Sequence, residues 1–227
     1  MEYSNEWLFA VHILSIFFFT LGALKLGKEA LCTWICLQAL FANLFVLKQI
    51  TLFGFHVTAS DVFAVGGILG LNLMQEFYGT KGAKKATAAC LYCLLLFAAL
   101  SKIHLLYTPS CIDVTHLSYA KILDPAPRLF IASLATFFIV QRIDIRLFSK
   151  LKSSMATSPF AIRNLISLST SQLLDTILFT FLGLYGIVFS LFDVIFVSFL
   201  AKVTVIAFLT PASLVAKKWI TPKELPL

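Results

Sequence analysis

Seven runs of predominantly apolar residues fill most of the chain, at about 7–25, 30–49, 57–79, 84–106, 128–149, 161–183 and 188–212. A helix needs about 20 such residues to cross the roughly 30 Å hydrocarbon core of a bilayer. Seven of them in 227 residues leave only short connections, so no separate soluble domain fits. The pattern predicts one all-α transmembrane domain over 1–227. Composition points the same way: 59% of residues are hydrophobic, 13% are charged, and 23 are phenylalanine. A soluble protein of this size would expose many of those rings as adhesive patches, whereas lipid accepts them. The first run, WLFAVHILSIFFFTLGAL from Trp7, lacks a basic leader and exceeds the usual signal-peptide core, so it reads as a retained span.

The net charge of +7 does not indicate nucleic-acid binding, because the basic residues are scattered between apolar runs instead of forming a patch on a polar surface. They alternate from connection to connection. Lys25, Lys28, Lys81, Lys84, Lys85, Arg142, Arg146, Lys150, Lys152, Lys217, Lys218 and Lys223 fall on one side, and Lys48, Lys102, Lys121 and Arg128 on the other. The positive-inside rule makes the richer side cytoplasmic. Seven spans then place the N-terminus outside and the C-terminus inside. The long outer connection, YTPSCIDVTHLSYAKILDPAPR, is either a lid over an external mouth or a plain connector, since its prolines also serve to end helices.

Five cysteines, at 32, 36, 90, 93 and 111, invite a metal or redox reading. Cys90 and Cys93 form a CxxC, but it lies inside an apolar helix with no second CxxC and no histidine pair to complete a zinc site. They read as small buried thiols. His12, His56, His104 and His116 lie at dispersed depths, and HExxH and GxSxG are absent. An enzyme is therefore not expected, nor a metal or cofactor.

Polar residues retained inside apolar runs carry the functional signal, because a charge at the centre of a membrane helix costs about 2.5–3.5 kcal/mol on insertion scales. In the sixth run, Asn164, Ser167, Ser171 and Asp175 follow steps of three and four, with Gln172 beside them. This stripe is not expected to face lipid. A hydrogen bond from Thr170 or Ser171 would be the bland explanation for Asp175, but a carboxylate is an expensive way to obtain one. In the third run, Asn72, Gln75, Glu76 and Gly79 share a face, while Gly66, Gly67 and Gly70 allow another helix to approach closely. The two polar faces are expected to meet.

Depth separates these groups. The third run enters from outside and the sixth from inside, so Glu76 falls level with Arg163 near the cytoplasmic end. Asp175 lies about 21 Å from the inner edge, level with Asn43 of the second run. In the seventh run, Asp193 is near the outer end and Lys202 near the middle. Lys202 can neutralise Asp175 or Glu76, or extend its ammonium along its stem toward water. A paired role is expected.

Four segments in order and spacing now carry a resemblance: NLMQEFYGTKGAKKA from Asn72; PAPRLFIASLA and QRIDIRLFSKLK at the two ends of the fifth run; RNLISLSTSQLLDT from Arg163; and the isolated Lys202 before Pro211. Over nearly its whole length the chain resembles the queuosine precursor transporters, also called the vitamin-uptake-transporter-like family. The resemblance implies an importer of 7-deazaguanines (queuine, preQ1 or preQ0) used for tRNA modification. It also implies a six-helix core similar to the substrate-binding subunits of energy-coupling-factor transporters, with the first span added. Asp175 and Gln172 would read the polar edge of the flat base, with Asn72, Glu76, Asn43 and Lys202 as further substrate-binding candidates. Arg163, Arg128, Gln141 and Asp144 carry over as structural or gating residues. Members often have Asp where this chain has Asn72, which leaves the choice between queuine and preQ1 open.

Two alternatives remain from the sequence: a substrate-binding subunit of an energy-coupling-factor vitamin transporter, and a non-transporting assembly subunit whose polar faces hold helices together. A homo-oligomer or a coupling partner is also open, although the AxxxA signature expected for docking to a coupling subunit is not evident in the first runs. If Glu76 and Arg163 pair, reversing either charge lowers the yield of folded protein and reversing both restores it, as read by membrane expression; absence of rescue counts against the pair.

Overall fold

The computed structural model describes residues 4–154 and 160–204, apart from the side chains at 80, 141, 144, 145, 148–153, 160–165, 167 and 168. The elements in chain order are α1 (Asn5–Leu26), α2 (Lys28–Phe45), β1 (Gln49–Leu52), β2 (Phe55–Thr58), α3 (Asp61–Leu105), α4 (His116–Leu123), α5 (Ala126–Ser154) and α6 (Phe160–Phe179). A π-helical turn, Thr180–Leu184, ends α6, and a further helix, α7, runs from 191 to 204. Among the described residues, three helical segments are long and apolar enough to cross a membrane: Asn5–Leu26, Lys81–Leu105 and His116–Val140.

The 45-residue α3 is not one rod. Gly79 has φ 71° and ψ 177°, a region essentially reserved for glycine, and the chain turns there. Packing shows how far. A Cβ on Gly70 would lie 2.6 Å from Ile35 Cγ1, and the Cys90 Sγ lies 3.7 Å from Cys36 Sγ. Twenty residues of straight helix would separate positions 70 and 90 by roughly 30 Å. Both nevertheless touch adjacent residues of α2, so the two arms of α3 fold back as an antiparallel pair about the elbow. Leu31, Ile35, Cys36, Leu73, Met74, Ala86 and Cys90 form the resulting core with Leu24 of α1. The glycines of the first arm thus bring it against α2, not against α6. Two of the expected spans, 57–79 and 84–106, prove to be arms of one element joined without a loop.

α1 packs beside this unit. Its Thr20 is fully buried and accepts a 2.8 Å hydrogen bond from Trp34 Nε1 of α2, while Phe18, Phe19 and Leu26 remain exposed on the outer face.

The expectation of purely helical structure needs one correction. Between α2 and α3 the chain forms an antiparallel hairpin, with Gln49 opposite Thr58 and Leu52 opposite Phe55. The two turn residues, Phe53 and Gly54, have φ of 49° and 83°, as a two-residue hairpin loop requires. Residues 57–60, read from the sequence as the start of a span, are strand and turn. The hairpin holds the bundle together at this end. Asn5 Nδ2 donates to Thr51 O at 2.9 Å, Phe53 N–H to Glu6 Oε1 at 3.0 Å, and His56 N–H to Asp193 Oδ2 at 2.9 Å. The Gln49 side chain accepts from Phe189 N–H at 2.8 Å, and Leu52 and Val57 pack on Val197 of α7.

The connection after α3 is partly ordered by α4. Asp113 Oδ1 accepts from the Thr115 N–H at 2.7 Å and the His116 N–H at 3.1 Å, which together with the Thr115 hydroxyl hold its pKa below the usual carboxylate value. Lys102 pairs with Asp124, and Tyr119 meets His104 edge-on. These contacts fasten the segment to the second arm of α3.

The elbow makes a direct prediction. Gly79→Ala forces a side chain into a glycine-only conformation, at a cost of about 1–3 kcal/mol. The thermal midpoint of the purified protein in detergent should fall, while Gly22→Ala, at an exposed site with open space for a Cβ, should leave it nearly unchanged.

Candidate functional site

Polar residues from four separate parts of the chain converge beneath the hairpin. A small cavity of about 80 Å³ is lined by Asn43 of α2, Thr58 and Ser60 of the hairpin end, Asp61 of α3, Thr176 and Phe179 of α6, Thr180 of the π turn, and Ser198 and Lys202 of α7. Local sequence explains the arrangement. Positions 176 and 180 are one helical turn apart on α6 and its extension, as are 198 and 202 on α7, so each pair points one way. The TASD stretch puts two hydroxyls and a carboxylate at the start of α3, and Thr58 Oγ1 and Ser60 Oγ share a 2.8 Å hydrogen bond.

Lys202 anchors the charge pattern. Only 8% exposed, it donates from Nζ to Asp175 Oδ2 at 2.8 Å and to Thr176 Oγ1 at 3.0 Å. A buried ammonium is costly unless paired, and this pair answers the requirement. Asp61 is 7% exposed. Its Oδ1 accepts a 2.5 Å hydrogen bond from Ser198, and its Oδ2 is buried with no partner among the described residues. Asn43 is buried too and spends one amide hydrogen on Ala39 O at 2.9 Å.

One helical turn along α2 from the cavity-lining Ala42, the Gln38 side chain is fully buried, and neither amide atom has a partner among the described residues. It fits because position 66 is glycine: a Cβ there would sit 2.6 Å from Gln38 Oε1. A larger cavity of about 640 Å³ lies between α1, the hairpin, the first arm of α3 and α7, but it is lined by Phe9, Phe17, Leu69, Phe196 and similar apolar groups. It offers almost nothing to orient a polar molecule. The smaller cavity carries the chemistry.

The structure sorts the residues singled out in the sequence. Asn43 and Lys202 line the cavity, and Asp175 reaches it through Lys202. Gln172 is half-buried on α6 next to this cluster, and its carbonyl accepts the Thr176 hydroxyl at 2.8 Å. Asn72 and Glu76 are exposed on α3 and do not line this cavity, since the small residues of that arm turn the Gly66 and Gly70 face toward α2. Arg128 donates from Nε to Leu182 O at 3.1 Å and from Nη2 to Tyr185 O at 2.7 Å, so it clasps the end of the π turn. The side chains of Arg163, Gln141 and Asp144, and with them the Glu76–Arg163 pairing, lie outside the described residues.

Asp61, Ser198, Thr176 and Thr180 had not been singled out. Asp61 follows Thr58 and Ser60 immediately before an apolar run, a pattern that marks a helix start. That reading hides its second role, because the pattern is equally satisfied by a residue facing water.

Comparison with known proteins bears on this arrangement directly. Residues 58–216, which include the TASD turn, α6 and α7, match the family described as "Putative vitamin uptake transporter". The chain belongs to the vitamin uptake transporter family. It is also 30% identical over 231 residues to a Bacillus subtilis (strain 168) protein named "Probable queuosine precursor transporter", covering 97% of each chain. No solved structure matches it. Membership of the family makes this a multi-pass membrane transporter, in keeping with its apolar helices.

The ion pair yields a prediction that separates structure from transport. Lys202→Met leaves Asp175 uncompensated and should cost about 2–3 kcal/mol, at or below the about 3–5 for fully buried pairs, because the Asp175 side chain keeps 36% of its exposure. Adding Asp175→Asn should recover most of that loss in a thermal melt. A double variant no more stable than the single one would show that the pair is not what Lys202 contributes.

Proposed function

We propose that the protein imports 7-deazaguanine precursors of queuosine, such as queuine, preQ1 or preQ0, across the bacterial cytoplasmic membrane, and that the cavity between Asn43, Asp61, Thr176 and Lys202 is its substrate site. The observation that carries this reading is the cavity itself: a carboxylate with a free oxygen, a paired ammonium, an amide and several hydroxyls around one small buried space. Such a mixed set matches a flat base that presents both N–H donors and a carbonyl acceptor. Phe179, also at the wall, supplies a ring for the face of that base. The name of the Bacillus subtilis relative gives the substrate class.

The proposal includes seven membrane spans, formed by α1, α2, the two arms of α3, α5, α6 and α7, with the N-terminus outside. In that orientation the hairpin is external and the cavity lies in the outer half of the membrane. The cavity volume of about 80 Å³ is well below the about 300–1,000 Å³ of typical small-molecule sites. On this reading the described state is the closed one, and substrate enters when the walls separate. The hairpin covers the cavity and is fastened to α1 and α7 by hydrogen bonds and by the packing of Leu52 and Val57 on Val197, so those contacts have to loosen for the walls to part.

Uptake of labelled queuine or preQ1 by cells that cannot make queuosine tests the reading. Cells carrying the protein should accumulate label, and Asn43→Leu, which fills the cavity with an apolar side chain, should reduce uptake at least about tenfold while the protein still reaches the membrane. Wild-type protein that imports none of the three compounds under any condition would sink the importer reading. Uptake seen only with a coupling ATPase present would favour the energy-coupling-factor alternative.

A further inference from the structure

The charges around the cavity do not balance. Among the described residues, Asp61, Asp175 and Lys202 are the ionisable groups there, two carboxylates against one ammonium. Lys202 is already committed to Asp175 and Thr176. Asp193, farther out on α7, accepts from the backbone of His56 instead. Asp61 thus has one hydrogen-bond donor, the neutral Ser198, feels the Lys202 ammonium without bonding to it, and keeps one buried oxygen without a hydrogen-bond partner among the described residues. An isolated carboxylate in a low-dielectric site is strongly disfavoured unless something positive or proton-donating meets it. Asp61 is a residue of the cavity wall, and a ligand that parts the walls is the group placed to meet this buried oxygen.

We propose that Asp61 is the counter-ion for a protonated amine on the substrate, and so selects amine-bearing 7-deazaguanines over neutral ones. The proposal rests on the importer reading and deepens it. preQ1 carries an aminomethyl group and queuine a secondary amine, both protonated near neutral pH, whereas preQ0 carries an uncharged nitrile at the same ring position. When an amine-bearing ligand binds, the cavity holds two positive and two negative charges. With a nitrile ligand, Asp61 keeps an unmatched charge. Asp175 cannot play this part on equal terms, because the Lys202 ammonium already neutralises it at 2.8 Å. The serine on the other side of Asp61 is a positioning residue: its 2.5 Å hydrogen bond fixes the carboxylate so that Oδ2 is the atom offered.

Binding of preQ1 and preQ0 to the purified full chain in detergent, measured by titration calorimetry, tests the assignment. The wild-type protein should bind preQ1 about tenfold or more tightly than preQ0, since a close charge pair is worth at least that much. Asp61→Asn should bring the ratio close to one by loss of preQ1 affinity. A ratio that survives Asp61→Asn, or that is lost in Asp175→Asn and kept in Asp61→Asn, overturns the proposal. Equal wild-type binding of both compounds also overturns it and leaves the importer reading standing. Wild-type protein that binds neither overturns both. Should Asp61→Asn fail to fold, labelling of wild-type carboxylates with a hydrophobic carbodiimide, read by mass spectrometry, replaces it: preQ1 should protect Asp61 and preQ0 should not, and protection confined to Asp175 would refute the assignment.

Discussion

The ion pair between Lys202 and Asp175 fixes the relation of α7 to α6, and much else follows from it. An ammonium in an apolar bundle has to find a carboxylate, and the match constrains both the rotation and the depth of each helix. Once those are set, Ser198, one turn earlier on α7, meets Asp61 at the start of α3, and Thr176 completes the hydrogen bonding of the lysine. The cavity is the space left between these satisfied contacts. Substituting the pair with well-packed apolar residues could preserve a bundle, but it would remove the reason for the helices to stop at this register.

Much of the architecture was legible because hydrocarbon is an unforgiving solvent. Apolar runs could be read directly as helix, and among the described residues three helical segments are long and apolar enough to cross a membrane. The likeness in depth of Asp175 and Asn43 followed from counting 1.5 Å per residue along two runs of the same direction; Asn43 lines the cavity, and Asp175 meets it through Lys202. Rotation was harder. The face bearing Asn72 and Glu76 looked polar enough to point inward, but the glycines at 66 and 70 decide that helix, because α2 comes close enough to forbid a Cβ at either position. Steric need for small residues outweighed the polarity of the opposite face.

The hairpin and Asp61 escaped for a related reason. ITLFGFHVT alternates β-branched and aromatic residues about a Phe-Gly turn, which is a strand signal. Flanked by two long apolar runs, it was absorbed into their ends. Asp61 stands where a span begins and there resembles an ordinary helix-starting residue. Only three-dimensional placement, with α7 lying across the start of α3, turns it from a terminal residue into a buried one.

The elbow at Gly79 also bears on how such a protein is assembled. Two helical arms joined by one residue have no slack, so the position of one fixes the position of the other. The bend therefore keeps them side by side as one unit, with Lys81, Lys84 and Lys85 all exposed just past it. The thiols of Cys36 and Cys90 are adjacent because that unit packs on α2. What one glycine supplies is therefore proximity: it brings two distant stretches of α3 onto the same turn of α2.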